Sequence, residues 1–328
     1  MTFSEHPLEN ILAIVGPTAS GKSSLSFELS HQARQRGLTI ELISMDSALV
    51  YRGMDIGTAK PSTLDREQVK HHGIDIRDPW QSYSAAQFAK DVITWVQEIR
   101  QRGNYPVIVG GTMLYWRALM QGLTDLPASS AEVRQEIALQ ANQFGWDSLY
   151  RNLQEIDPLT AKRLPSGDTQ RISRALEIYA MTGQTMSSLL QKNPYASSRD
   201  ESSFSHLLIS LEPENRSWLH QRIEERFYKM LKNGFLHEVE HLLLQENIHS
   251  NLPSMRAVGY RQAIEYLGAI ITEAEFIQAG LAASRQLGKR QLTWLRAMPS
   301  RQTVDPSTPE FTKKAIDLCL KQIDLMTT

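Results

Sequence analysis

Four residues at fixed spacing carry the first chemical signal in this chain. Gly16, Gly21, Lys22 and Ser23 in "GPTASGKS" fit G-x-x-x-x-G-K-[ST] at every specified position. The spacing has a physical cause. Glycines let backbone N–H groups turn inward around an anion, and a helix starting at the loop adds its positive N-terminal end. A lysine supplies a mobile point charge, and a serine hydroxyl suits Mg²⁺. The loop from Gly16 through Pro17, Thr18, Ala19, Ser20 and Gly21 to Lys22 and Ser23 is therefore expected to hold a diphosphate or triphosphate, with Ser23 as the metal ligand. What the phosphates are attached to, the loop leaves open.

Two other positions are chemically suggestive. Asp46 ends the run "TIELISMD". A carboxylate there can serve as a general base or bind Mg²⁺ through water. On residue type alone it also reads as an ordinary helix or turn cap in "DS". Thr112 follows the pair Gly110–Gly111, where the absence of side chains lets a substrate lie against backbone. Taken alone, "GGT" is a tight strand-to-helix turn.

These residues need a scaffold that brings them together. "NILAIVG", "TIELISMD" and "YPVIVGG" read as buried strands. Between them, "SSLSFELSHQARQR" and "SYSAAQFAKDVITWVQEIRQRG" read as helices stopped by Gly37 and Gly103. Alternation of this kind predicts an α/β fold: a P-loop, nucleotide-kinase-like parallel sheet flanked by helices. Ligands of such sheets bind outside the carboxyl ends of the strands, where the loop, Asp46 and Thr112 all fall. The strand signal then stops. Residues 123–205 read as a helical insertion domain between a first core part, 1–122, and a second, 206–328, where "FSHLLISLEP" returns as a strand before further long helices.

Composition sets the outer limits. Hydrophobic residues are 41% and charged residues 22% of 328, so a packed core is expected. The formal net charge is -1, so any nucleic-acid contact must come from local basic patches. The single cysteine, Cys319, excludes an internal disulfide, fits a reducing cytoplasm and reads as a core residue of a terminal helix. No apolar run is long enough to span a membrane, no signal peptide is evident at the N-terminus, and monomer is the default state. His71 and His72 are read as polar loop residues. Trp80, Trp95 and Trp116 are read as core or pocket wall.

A GTPase is disfavoured, because no guanine-reading N-K-x-D is present. A small-molecule kinase fits the size and the sheet, with Arg171 and Arg174 as lid arginines. More specific than either is the set "GPTASGKS", "DSALVYRGMDIGTAKP", "GGTMLY", "DTQRISRALEIYAMTG", "MRAVGYRQ" and "SRQLGKRQLTWLR". In chain order these resemble the tRNA dimethylallyltransferase, or tRNA isopentenyltransferase, family over about residues 11–298.

The resemblance implies transfer of a dimethylallyl group from dimethylallyl diphosphate to the exocyclic amine of the tRNA adenine next to the anticodon on its 3′ side. The loop would then hold the donor's diphosphate, with Mg²⁺ on Ser23. By similarity Asp46 is the general base, Thr112 contacts the target nucleotide, and Arg222 in "HQRIEERF" assists the leaving group. A helix-surface arginine paired with Glu225 is the alternative for Arg222. Implied contacts to the anticodon arm are Asp46, Ser47, Ala48, Leu49 and Thr112. To these the similarity adds Arg134, Gln170, Arg171, Ile172, Ser173, Arg174, Arg256 and Arg261. The arm is expected between core and insertion. A second basic stretch, Arg285, Lys289, Arg290 and Arg296, suits backbone contact. The family commonly has Gln at the position of Leu49, and Ser23 replaces a frequent threonine while keeping its hydroxyl. No membrane and no protein partner are implied.

Overall fold

The computed structural model describes residues 8–122, 126–127, 129–192, 205–298 and 300–327. Contacts divide the chain into two compact units: Met1–Leu119 with Ser202–Thr328, and Met120–Glu201.

The larger unit is built on six parallel strands in the order β3-β2-β4-β1-β5-β6. They are β1 (Ile11–Val15), β2 (Ile40–Met45), β3 (His71–His72), β4 (Tyr105–Gly110), β5 (His206–Leu211) and β6 (Arg301–Val304). Every residue of β1 and β2 is buried, as expected of parallel strands covered on both faces. Helix α1 (Lys22–Gln35) packs Leu25, Leu29 and Ala33 into the same apolar cluster as Ala315, Ile316, Cys319 and Leu320 of the last helix, α14 (Phe311–Thr327). Helices α2 (Thr63–Gln68), α3 (Ala85–Gln101) and α4 (Met113–Gln121) complete the first half. Ser84 caps α3 in a reciprocal box with Gln87, which fixes where that helix begins.

After β5, four helices form a second apolar cluster around Phe227, Phe235, Val239, Tyr260 and Phe276. They are α10 (Arg216–Lys232), α11 (Phe235–Leu243), α12 (Tyr260–Leu267) and α13 (Glu273–Arg296). The smaller unit is helical: α5 (Ala131–Phe144), α6 (Trp146–Ile156), α7 (Pro158–Ala161), α8 (Thr169–Thr182) and α9 (Met186–Lys192). Its own core joins Ile137, Leu149, Leu153, Ile172, Ala175 and Leu176.

Two strands differ from the sequence reading. His71 and His72 are the edge strand β3, paired with Leu42 and Ile43, and not a loop. His72 Nε2 lies 2.6 Å from the Glu41 carboxylate. That carboxylate, 2% exposed, also accepts from Arg102 and Asn104. Burial pushes the Glu41 pKa up, but these hydrogen bonds outweigh it and leave it near 2. β6 is also unforeseen, because "RQTV" is polar and carries no apolar periodicity. It forms only because β5 offers an open edge beside it. Of the tryptophans, Trp116 is fully buried, Trp95 is half-buried, and Trp80 is largely outside the core at 41% exposure.

Candidate active site

The strand register decides what meets at the sheet's carboxyl edge. Val15 of β1 pairs with Gly110 of β4, and Gly110 pairs with Met45 of β2. Gly16, Asp46 and Gly111 are the next residues along, so loop, carboxylate and glycine pair emerge from three adjacent strands side by side. Gly110 is required there: a Cβ on it would lie 2.0 Å from the Met45 carbonyl oxygen. The Thr112 N–H donates to that same carbonyl at 3.2 Å, and the Thr112 Oγ1 accepts from the Ser47 N–H at 3.1 Å. Asp46 Oδ1 accepts from the Ala48 N–H at 2.8 Å and more weakly from Leu49 at 3.4 Å. The capping role foreseen for Asp46 is thus real, but it occupies only one oxygen. Among the described residues, Oδ2 accepts no hydrogen bond.

These residues line a single cavity of about 490 Å³ wholly within the larger unit. Thr18, Lys22 and Ser23 of the phosphate-loop motif form one end. Asp46, Ser47, Ala48, Leu49, Gly111 and Thr112 form a second wall, and Ile223, Phe227, Met230, Leu287 and Trp294 a third that is mostly apolar. The loop is strained at one point: Ala19 sits at φ 63, a left-handed conformation rarely taken without glycine. Lys22 Nζ donates to the Pro17 carbonyl at 2.7 Å, which folds the lysine over its own loop. Its pKa is pushed down to about 8, first by desolvation and then by the Arg226 charge, with Asp46 acting the other way. Such an ammonium lacks a full counter-charge, and an anionic ligand would supply it.

Three residues that the sequence reading did not single out help to build this cavity. Arg226 is the cationic partner of Lys22, and its guanidinium donates to the Thr58 carbonyl at 3.0 Å. Burial lowers the Arg226 pKa, and Asp46 partly offsets that. Gln291 on α13 ties two walls together. It accepts from the Thr18 N–H at 2.8 Å and donates to the Gly111 carbonyl at 3.0 Å. Glu238 on α11 holds the loop bearing Gly57 and Thr58. Arg222, the arginine expected here, is not in the cavity. It is 51% exposed, lies 3.6 Å from Glu225 and rests over Trp218. The reason is helical phase. Leu219, Ile223, Phe227 and Met230 form the buried stripe of α10, and at about 100° per residue Arg226 falls beside that stripe while Arg222 falls roughly 40° further out. The same count on the sequence finds Arg226.

The remaining expected contacts scatter. Arg256 lines the cavity, whereas Arg261 faces Glu265 and does not. Of the second basic stretch only Arg290 reaches the cavity. Arg285 pairs with Glu224 at 3.2 Å, Arg296 lies 4.0 Å from Glu212, and Lys289 is exposed. In the smaller unit, Asp168 caps α8 through the Arg171 N–H, and Gly183 ends it at φ 66. Gln170 and Arg171 are exposed, and Arg134 is 53% exposed. Ile172 is fully buried in that unit's core, so its side chain is no nucleic-acid contact. Ser173 is half-buried. Arg174 is engaged by protein: it donates to buried Glu177 at 2.8 Å and to the Pro127 carbonyl. Tyr179 is 38% exposed.

The donor set fits Mg²⁺ bound together with a diphosphate. Ser23 is exposed at the start of α1, and Asp46 shares its cavity. Among the described residues, no group of three His, Cys, Asp or Glu side chains forms a dedicated metal cage. Magnesium does not need one, since it keeps water and substrate oxygens as ligands.

Sheet, phosphate loop and cavity together define an α/β enzyme of the P-loop type, in which the loop faces an acid and an apolar wall. Comparison with known proteins narrows the class. A family model described as IPP transferase matches residues 49–298. A tRNA dimethylallyltransferase of Polynucleobacter asymbioticus is 49% identical over 315 residues, 95% of each chain. One from an Acidovorax strain is 49% identical over 306 residues, 93% of this chain and 94% of the relative. The crystal structure of a tRNA isopentenylpyrophosphate transferase from Bacillus halodurans matches with a TM-score of 0.67 and 32% identity, covering 97% of this chain and 98% of that one. A eukaryotic dimethylallyltransferase acting on tRNA matches with a TM-score of 0.76 and 25% identity, covering 96% of this chain and 79% of its own. The chain belongs to the IPP transferase family.

Proposed function

We propose that this protein transfers the dimethylallyl group of dimethylallyl diphosphate to the exocyclic amine of the tRNA adenine that follows the anticodon on its 3′ side. One observation supports this most. A single cavity holds two half-buried cations, Lys22 and Arg226, a carboxylate with an oxygen left over, Asp46, and an apolar wall. Each has a task. The departing diphosphate takes the electron pair of the breaking carbon–oxygen bond, and Lys22, Arg226 and the loop N–H groups stand where that charge grows. Ser23 would hold Mg²⁺, which when bound neutralises part of the same charge. The apolar wall shields the allylic carbon from water. The adenine amine is a weak nucleophile, so it must lose a proton as the carbon–nitrogen bond forms. Asp46 Oδ2 is the acceptor, while Oδ1 remains fixed by the Ala48 N–H. Thr112 stands beside Ser47 to position the nucleotide, which must leave its stack to enter. In this reading Arg226 replaces Arg222 as the arginine of the leaving group. Of the contacts expected in the smaller unit, Gln170 and Arg171 are exposed and offered to an anticodon arm, while Arg134 is half-exposed and also donates to the Ser130 carbonyl.

The test is direct. Labelled dimethylallyl diphosphate, Mg²⁺ and unmodified tRNA are incubated with the protein, and in parallel ATP with candidate metabolites. Label entering the adenine supports the proposal, and ATP consumption with no label transfer refutes it. In the same assay Asp46→Ala is expected to lower single-turnover transfer by about a hundredfold or more, while tRNA affinity changes little. Full single-turnover activity in that variant would remove Asp46 from the mechanism.

A further inference from the structure

We infer that Glu238, on helix α11, is a positioning residue for donor binding, acting through the Asp55–Thr58 loop on the cavity arginine Arg226. The inference rests on the function proposed above and extends it to a residue that does not line the cavity.

Glu238 lies 181 to 183 residues from the loop it holds, and its carboxylate is saturated by three N–H groups of that loop and one hydroxyl. Oε2 accepts from the Asp55 N–H at 2.8 Å and the Ile56 N–H at 2.6 Å. Oε1 accepts from the Gly57 N–H at 3.0 Å and from the Tyr260 hydroxyl at 2.6 Å. Three consecutive backbone N–H groups pointing at one carboxylate form an anion nest filled by the protein itself. Such charge-assisted bonds are stronger than neutral ones, so they fix the turn firmly. The approach is close. A Cβ on Gly57 would lie 2.3 Å from Phe235 and 2.6 Å from Tyr260, so only glycine fits between nest and helices.

The next residue carries the consequence. Thr58 presents its carbonyl to Arg226, whose guanidinium donates to it at 3.0 Å. Gly57, Thr58 and Arg226 all line the cavity, and Arg226 depresses the ammonium pKa of Lys22. A guanidinium tethered at one N–H keeps its remaining donors in a fixed fork for phosphate oxygens. Releasing the turn would let Thr58 move and Arg226 turn away. Lys60 anchors the far side of the same turn, with its ammonium on the Tyr51 carbonyl at 2.7 Å and on Asp75 at 2.6 Å, so loss of Glu238 frees one side only.

The test measures inorganic pyrophosphate affinity by calorimetry in Glu238→Gln, Tyr260→Phe, Arg226→Ala and the double variant Glu238→Gln/Arg226→Ala, each checked for native melting. Glutamine keeps the volume but turns an N–H₂ towards one of the N–H donors. It is expected to weaken pyrophosphate binding by roughly tenfold and raise the donor KM more than it lowers kcat. Tyr260→Phe leaves the nest intact and is expected to change affinity less than threefold or so. In the Arg226→Ala background the glutamine effect should largely vanish, since both act through one contact. Fully additive losses, or wild-type affinity in a natively melting Glu238→Gln, would overturn the inference. If Glu238→Gln melts early, an unweakened pyrophosphate affinity measured below its transition overturns it equally. Failure of the function itself would look different: wild-type protein would neither bind pyrophosphate nor label tRNA.

Discussion

Two arginine-bearing helices, α10 in the larger unit and α8 in the smaller, use similar sequence to opposite ends. Helix α10 carries "RIEER", with Arg222 and Arg226 four apart. Helix α8 carries "RISR", with Arg171 and Arg174 three apart. In each, one arginine faces outward with an acid neighbour: Arg222 with Glu225 at 3.6 Å, Arg171 with Asp168 at 3.4 Å. The inward partners differ. Among the described residues, Arg226 enters a cavity with one backbone carbonyl as its hydrogen-bond partner and Asp46 as its attracting carboxylate. Arg174 meets Glu177, 1% exposed, at 2.8 Å, together with the Pro127 carbonyl. Helix α10 therefore leaves guanidinium donors over in a cavity, while helix α8 commits its inward arginine to its own fold. A basic residue on the inner side of a helix indicates function only when its protein partners leave donors over.

The contrast predicts a ranked set of effects. Arg226→Ala is expected to reduce donor turnover by about a hundredfold, the scale of losing one preorganised stabiliser of developing negative charge. Arg222→Ala should stay within about twofold of wild type. Steady-state kinetics of the two variants decides the point, and equal losses would erase the distinction. Next in size, Arg174→Ala should destabilise the smaller unit by about 1–2 kcal/mol in urea unfolding, because buried Glu177 keeps its Ser129 and Ser130 donors but loses the nearer of its two arginines, Arg134 lying 4.0 Å away. Arg171→Ala should leave stability within about 0.5 kcal/mol and weaken tRNA binding instead. A reversed pattern would move the nucleic-acid contact to Arg174.

The cavity charge also depends on pH. The Lys22 pKa is lowered to about 8, so its charge is complete below that value and disappears as pH rises through it, well short of the ordinary 10.5. Donor affinity should therefore be level at pH 6–7 and fall by no more than roughly tenfold per unit above pH 8. A level profile up to pH 10 would mean that Lys22 remains charged in the free protein.

How legible the site was in advance follows from how each part is encoded. The phosphate loop depends on backbone N–H groups and glycine freedom, which are local, so "GPTASGKS" displays it in eight letters. Asp46 and Thr112 were legible as strand ends, and parallel pairing then places strand ends together. Arg226 was available from helical phase but was passed over for Arg222, which sits in the same short motif. Gln291 and Glu238 had no local signal. Each is an unremarkable polar residue of a helix until a loop well over a hundred residues away packs against it. The edge strands β3 and β6 were missed for a related reason: two histidines and "RQTV" have no apolar period, and only a neighbouring open sheet edge makes them strands.

By itself the sequence determined the alternating strands and helices, the anion-binding loop and the carboxylate at a strand end, because short-range backbone chemistry and apolar periodicity specify them. The tertiary structure decided which charges are spent and which are free. Whether an arginine meets a ligand or a buried glutamate depends on what distant segments place opposite it, and desolvation, hydrogen bonding and the resulting pKa shifts exist only once those segments have packed.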